Sequence, residues 1–326
     1  MVTINDIAKR ANVAKSTVSR YLNGGSVSQK TKEKLNQIVA ETGYTPNTFA
    51  QSLKAKKTNM IGTIIPRLDS YSANEALASI DEELRERNFQ LLITNTNQLP
   101  AREIESIYSL AKQKVAGILL FATVITEEHK KAITEVGIPV ILLGQQAEGF
   151  YHIVHEEYQA GYKLGKYATR LGHKDFLYLN VFEADVAVGQ LRKNGVLAAL
   201  KEEKESSVEM VEVSFSFEKA YEQALKLLPT LKATYIFCAT DNIALAVLKA
   251  AHKLGLEVPT AFSLSGFGGY QITSIVTPSI TTVKYAYKEL GQVAVQNLIK
   301  LLDGEEVPEE VQLTNELITN ESTQQY

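Results

Sequence analysis

Five side chains between residues 15 and 20 hold the most suggestive chemistry in the chain: Lys15, Ser16, Thr17, Ser19 and Arg20. Cations there can meet phosphates and guanine edges, and hydroxyls can pair with either, so a short helix with this outer face suits the major groove of DNA. The same residues also suit an ordinary helical hairpin with a solvated face. A second set follows the apolar run IGTII, where Pro66, Arg67, Leu68, Asp69, Ser70 and Tyr71 form a polar loop. An arginine beside a carboxylate can grip vicinal hydroxyls there, or simply form a solvated ion pair. Catalytic and metal signatures are missing. His129, His152, His155, His173 and His252 lack ligand spacing. The nearest approach to a cluster is His152 and His155 beside Glu156 and Glu157. No phosphate-cradling loop and no nucleophile elbow occurs, so neither an enzyme nor a cofactor is expected.

The elements that must carry the first set are short helices. Thr3 can cap a helix in which Ile4, Ile7, Ala8 and Ala11 share one face, with Asp6 three residues on as the partner of the cap. Asn12 can stop it in the left-handed region, and Val13 plugs the turn. A second helix, about Lys15 to Leu22, turns Val18 and Leu22 inward. Gly24, Gly25 and Ser26 make a corner, and a third helix runs from Gln29 to Thr42 with Ser28 as cap and Leu35, Ile38 and Val39 inside. Gly43 ends it and Pro46 forbids continuation. So small a core is only marginally stable alone. The segment NTFAQSLKAKK from Asn47 to Lys57 is too apolar for a flexible linker. Phe49, Ala50 and Leu53 share a face with lysines behind them. It reads either as a helix packed on a neighbouring domain or as an apolar wedge for a minor groove.

From Met60 the pattern becomes strand–helix alternation. Strands are expected at 61–65, 90–94, 117–121, 138–143, 176–180, 208–213, 234–239, 262–267 and 279–283. Helices are expected near 74–87, 102–113, 157–171, 190–201, 217–228, 243–254 and 287–302. Continuous apolar runs between amphipathic helices indicate parallel sheets covered on both faces. Two such units would form a cleft lined by loops at the strands' carboxyl ends.

Length and charge agree with this division. The 326 residues suffice for two or three domains. Residues 1–58 hold eight lysines and two arginines against Asp6, Glu33 and Glu41, a net +7. The whole chain is −3, so the remainder carries −10. A small basic head on an acidic body directs nucleic acid to the head alone. Cys238 is the only cysteine, which excludes an intrachain disulfide and indicates a reducing compartment. It sits in an apolar strand and reads as core. With no leader-like or membrane-length apolar run, the expected location is the cytoplasm.

TINDIAKRANVAKSTVSRYLNG followed by VSQKTKEKLNQIVAETGYTPNTFAQSLKAKKT resembles the DNA-binding head and hinge of the lactose/galactose repressor (LacI/GalR) family. The later segments agree, so the resemblance spans essentially the whole chain. It implies an α/β protein with a three-helix helix-turn-helix head at 1–46 and a hinge helix at 47–58. A two-lobed body like the periplasmic binding proteins follows at 59–326. The first lobe takes in about 59–156 and 286–314, and the second about 157–285 and 315–326. It implies operator contacts from Thr3, Lys15, Ser16, Thr17, Ser19, Arg20 and Asn23, and from Asn47, Ala50, Leu53 and Lys54 in the hinge. Leu53 would be the residue inserted at a central base step. The effector would meet Arg67, Asp69, Ser70, Gln145, Arg192, Thr240, Asp241, Phe267 and Tyr285. Departures from the family pattern are visible. Ala14 stands where a capping Ser is usual, at a cost of about 1 kcal/mol unless Ser16 or Thr17 compensates. Thr240 stands where Asn is common, Gly268 where many members have a sugar-binding Asp, and Tyr285 where some have Gln. Tyr270 and Tyr285 would offer rings for stacking on a sugar. PRLDS with SGFGGY looks most like the subgroup controlling sucrose operons.

The resulting expectation is a homodimeric, sugar-responsive repressor of a sugar-utilisation operon that reads pseudo-palindromic double-stranded operator DNA. Sucrose, fructose or a related sugar or sugar phosphate would bind between the lobes, with no metal and no membrane involved. The tail from Asn315 to Tyr326 lacks a leucine heptad, which argues against a tetramerising coiled coil. A sugar-binding transport receptor would share the body, but needs a leader and no basic head.

Overall fold

In the computed structural model, residues 2–22, 25–44, 58–203 and 205–326 are described. The chain divides into two compact units, Met1–Thr58 and Asn59–Tyr326. In the first, α1 (Ile4–Ala11), α2 (Lys15–Leu22) and α3 (Gln29–Thr42) enclose Ile7, Ala8, Ala11, Val18, Leu35 and Ile38. Val2, Tyr21 and Tyr44 also pack on this core, whereas Val39 stays half-buried outside it. The start of α1 is a reciprocal cap: Asp6 N donates to Thr3 Oγ1 (3.3 Å), and Thr3 N donates to Asp6 Oδ2 (2.9 Å). Asn12 (φ 52°) and Gly43 (φ 58°) take the left-handed conformations expected of helix stops. At α2 the amides of Thr17 and Val18 bond only to the Ala14 carbonyl. Ser16 and Thr17 make no side-chain hydrogen bond with the described residues, so of the two alternatives the uncompensated one holds there. Asn23, Asn47, Ala50, Leu53 and Lys54 lie outside the described residues.

The second unit contains two six-stranded sheets in the order β11-β5-β4-β3-β1-β2 and β12-β10-β9-β8-β6-β7. The strands of the first are β1 (Met60–Ile65), β2 (Gln90–Asn95), β3 (Gly117–Leu120), β4 (Val140–Leu143), β5 (His152–His155) and β11 (Glu310–Leu313). Those of the second are β6 (Asp175–Asn180), β7 (Ser207–Glu212), β8 (Tyr235–Cys238), β9 (Ser263–Gly268), β10 (Thr281–Tyr285) and β12 (Asn315–Ile318). All pair in parallel except β12, which runs antiparallel to β10. The chain therefore passes between sheets at Glu156, Ala286 and Thr314, the residues separating β5 from the helix that starts at Glu157, β10 from the last helix, and β11 from β12. The short strands β5, β11 and β12 and the helix α6 (Glu127–Val136) had no counterpart in the sequence reading. Their apolar runs are too short for periodicity to separate from loop.

The helices of the body, besides α6, are α4 (Tyr71–Glu86), α5 (Pro100–Lys112), α7 (Glu157–Arg170), α8 (Lys193–Lys201), α9 (Phe217–Leu227), α10 (Asp241–Lys253), α11 (Gln271–Ile275) and α12 (Tyr287–Asp303). They cover strands whose residues are buried on both faces, as every residue of β3, β4 and β8 is. The core of the second sheet is aromatic, with Phe176 stacked on Phe237 (centroids 5.5 Å) and Tyr178 and Tyr235 fully buried alongside. Arg192 departs from expectation: it ends a π-helical turn (Val186–Arg192) rather than lying within an α-helix. The wider turn is a local distortion often found at functional sites.

Candidate functional site

The loops at the carboxyl ends of the strands meet along one seam between the two sheets. On the second-sheet side, the seam is built around Arg192. Gly161 and Gly195 let α7 and the start of α8 approach so closely that a Cβ on either would lie 2.0 Å from a backbone oxygen, Arg192 O and Tyr158 O respectively. That contact sets the first residue of α7, Glu157, against the guanidinium. Arg192 Nε and Nη2 donate to the two Glu157 oxygens (2.9 and 3.0 Å), and Nη1 donates to the Ala239 carbonyl (2.5 Å). The guanidinium lies over the rings of Phe267 (4.9 Å) and Tyr285 (5.0 Å), and Tyr285 OH donates to Glu157. Arg192 is 4 % exposed. Burial and this cation push the neighbouring His155 down to about 4, so its ring is neutral. Arg192, Phe267 and Tyr285 are thus brought together, but Arg192 is a braced strut, not a free arm.

Asp241 forms a second knot. Thr240 caps α10 by accepting from Ile243 N, and Asp241 is fully buried behind it. Its Oδ1 accepts from Thr282 Oγ1 (2.6 Å) and its Oδ2 from Tyr270 N (2.9 Å). Burial raises its pKa to about 6, against the lowering effect of those donors. Gly268 explains itself here. Its φ is +144°, and a Cβ would lie 2.4 Å from the Tyr270 ring and 2.9 Å from Asp241 Oδ2. No aspartate side chain fits at that position.

Several contacts between described residues cross the seam. Gln145 Nε2 donates to Asp185 Oδ1 (3.1 Å) and to the Thr123 carbonyl (3.2 Å). Thr123 is itself fixed by Glu103, which takes its N–H (3.3 Å) and faces His129 Nε2 (3.1 Å) in a fully buried pair. Tyr71 stacks on Tyr270 (centroids 4.3 Å), and its hydroxyl accepts from Gln271 N (2.9 Å). Arg67 lies over the Phe215 ring (5.4 Å). Its pairing with Asp69 is loose (3.6 Å) and Asp69 is 79 % exposed, so the ion pair contributes little. Ser70 is spent as the cap of α4. Beside the Gln145 bridge lies a cavity of about 380 Å³ lined by Gln145, His155, Glu157, Ala187, Leu191 and Gln312.

Sequence reasoning expected open rings at Tyr270 and Tyr285, and the structure corrects this. Tyr270 stacks on Tyr71, while Tyr285 is 2 % exposed with Arg192 on its face. It did not assign Glu157, Asp185, Phe215 or Thr282 to the site, and it named Tyr71 only as the last residue of the polar loop after the first strand. Two had a usable signal: an arginine buried at Arg192 requires a carboxylate, and Asp185 precedes its helix as a cap should. Among the described residues no group of His, Cys, Asp and Glu is arranged to hold a metal, and no helix is long and apolar enough to cross a membrane.

On the head, Lys15, Ser16 and Arg20 of α2 are exposed, and Thr17 and Ser19 are half-buried. Thr3 is exposed, but its hydroxyl is committed to Asp6, donating to Oδ2 at 2.7 Å. Those bonds hold the Asp6 carboxyl below its ordinary pKa.

Comparison with known proteins adds to this geometry. Residues 3–47 match the model of the bacterial regulatory proteins, lacI family, and residues 166–323 match that of the periplasmic binding protein-like domain. The chain is 40% identical to a sucrose operon repressor of Staphylococcus xylosus over 95% of its own length and 97% of the relative's. It is 31% identical to the HTH-type transcriptional regulator DegA of Bacillus subtilis over 89% of this chain and 88% of that one. In fold it is similar to the lac repressor dimer bound to operator and the anti-inducer ONPF, with a TM-score of 0.90, 24% identity and 99% of each chain covered.

Proposed function

This chain belongs to the lacI family of bacterial regulatory proteins and is a DNA-binding transcriptional repressor with a sugar-sensing body, and we propose that it governs an operon for sucrose use. Its effector is then sucrose, fructose or a related sugar or sugar phosphate, held at the seam between the two sheets. The observation that carries this reading is the convergence of Arg67, Gln145, Asp185 and Arg192 on one seam in a chain whose other unit presents a basic helix face. The near full-length likeness to a repressor named for the sucrose operon supports the choice of sugar.

The working form is a homodimer, as the lac repressor structure is named a dimer on its operator. Two α2 helices, through Lys15, Ser16, Thr17, Ser19 and Arg20, then read the halves of a pseudo-palindrome. Thr3 and Asn23 flank that face, and Asn47, Ala50, Leu53 and Lys54 act at the centre of the site. A sugar that favours one arrangement of the lobes shifts operator affinity through a coupling of about 1–3 kcal/mol, or roughly 5–150-fold. Arg192 acts by keeping Glu157, Phe267 and Tyr285 in place rather than by reaching out. A transport receptor would need only the body, and the helix-turn-helix match disfavours it. Fluorescence anisotropy with labelled operator, with and without sucrose, fructose and their phosphates, tests the reading. One of these sugars is expected to weaken binding within that range; indifference to all of them would refute it.

A further inference from the structure

We infer that Asp185 is the carboxylate that takes the sugar's hydroxyls in this seam, and that a ligand hydroxyl replaces Gln145 on it. This rests on the sugar-sensing reading above and deepens it. Sugar sites need acceptor oxygens able to bind neighbouring hydroxyls, and position 268 has no room for one. Of the other carboxylates near the strand ends, Asp241 and Glu157 are committed and Asp69 lies outside, while Glu156, which lines the same cavity, is only half-buried. Asp241 has Thr282 on one oxygen and Tyr270 N on the other. Glu157 has both oxygens on Arg192 and takes Tyr285 OH as well. Asp69 faces solvent.

Asp185 differs. It is 9 % exposed, and its Oδ1 accepts from Val188 N (3.1 Å) and from Gln145 Nε2. Its Oδ2 has no hydrogen bond from any described residue. A carboxylate offers about four lone-pair sites, and this one uses two, both on one oxygen. Asp185 itself stands behind the cavity of about 380 Å³, which is lined by the next residue Val186, by Ala187 and by its partner Gln145, and whose size lies within the ~300–1,000 Å³ common for small-molecule sites. Burial raises the Asp185 pKa, against the lowering effect of Val188 N, Gln145 and the nearby Arg192 cation. Gln145 can leave at little cost, because its amide keeps the Thr123 carbonyl as a partner. A hydroxyl pair arriving at Asp185 would therefore exchange one cross-seam bond for a ligand held between the same two sheets.

Calorimetric titration of the full chain with sucrose, fructose and sucrose 6-phosphate, then with monodeoxy derivatives of whichever binds, tests this. Asp185→Asn keeps a side-chain oxygen to cap the π-helical turn while losing the charge. Its affinity is expected to fall about 10- to 100-fold. The wild-type penalty for one particular deoxy position should shrink in the variant. Equal affinity and an unchanged deoxy profile would overturn the assignment. Asp185→Ser, which also caps, repeats the measurement if the first variant melts early. Loss of the folded state in both would show a purely structural cap and overturn it too. If the wild type binds none of the sugars, the sugar reading itself has failed, and the Asp185 assignment with it.

Discussion

In the head, most polar side chains that fix the fold find partners three or four residues away, as Thr3 does with Asp6, Ser28 with Thr31 and Thr42 with the Ile38 carbonyl; the Tyr21 hydroxyl, which donates to Asn36, is an exception. In the seam of the body the separations are 35 residues for Arg192 and Glu157, 41 for Thr282 and Asp241, and 128 for Tyr285 and Glu157. The head's groups are mostly exposed and can turn to water when a partner is removed. Those of the seam are buried, and a lost partner leaves a charge or donor stranded in a medium that cannot solvate it. Equal numbers of hydrogen bonds therefore carry unequal consequences.

The sharpest way to break this contrast is Arg192→Ala. It strands the Glu157 carboxylate, so chemical denaturation should show a loss of about 3–5 kcal/mol. A loss below about 1 kcal/mol would mean that the pair is not sealed from water. Protonation offers a second probe with opposite signs in one cluster. His155 is neutral in the folded chain down to about pH 4, so the stability it contributes is present above about 6.5 and is lost as pH falls through 4. Asp241 has a raised pKa of about 6, so its contribution is complete below about 3.8 and is lost as pH rises through 6. The two oppose one another. His155→Phe should flatten the loss of stability between pH 6.5 and 4, and Asp241→Asn should steepen it, as read from denaturation midpoints across that range. The smallest effect is expected in the head. Thr3→Ala removes the exposed cap of α1 and should cost about 1 kcal/mol, measured on the same denaturation scale. A cost as large as that of Arg192→Ala would erase the distinction.

Legibility followed the same line. The caps Thr3 and Ser28 and the stops Asn12 and Gly43 were readable because each is a residue type answering a backbone need within one turn. The α/β architecture was readable because buried parallel strands leave continuous apolar runs. In the seam, Arg192, Asp241, Phe267 and Tyr285 stood out, but their roles did not. Tyr285 seemed a platform for a ligand and is a support for Arg192. At Gly268, where many members of the family have a sugar-binding Asp, the Tyr270 ring and Asp241 already fill the space. Asp185 gave no sign beyond that of a cap, since nothing local marks that Gln145 arrives from the other sheet.

By itself the sequence determined the three-helix head, its basic outer face, the strand–helix alternation and the neighbourhood of the seam. The first three follow from residue type, continuous apolar runs and the 3.6 period, which are set within a few residues, and the last from the resemblance to the family. Only the tertiary structure decided which charges neutralise one another and which carboxylate keeps an oxygen free. That outcome depends on chain crossings at Glu156, Ala286 and Thr314, and on glycines that let α7 and α8 close to contact. Burial then turns these long-range pairings into the strongest constraints in the molecule.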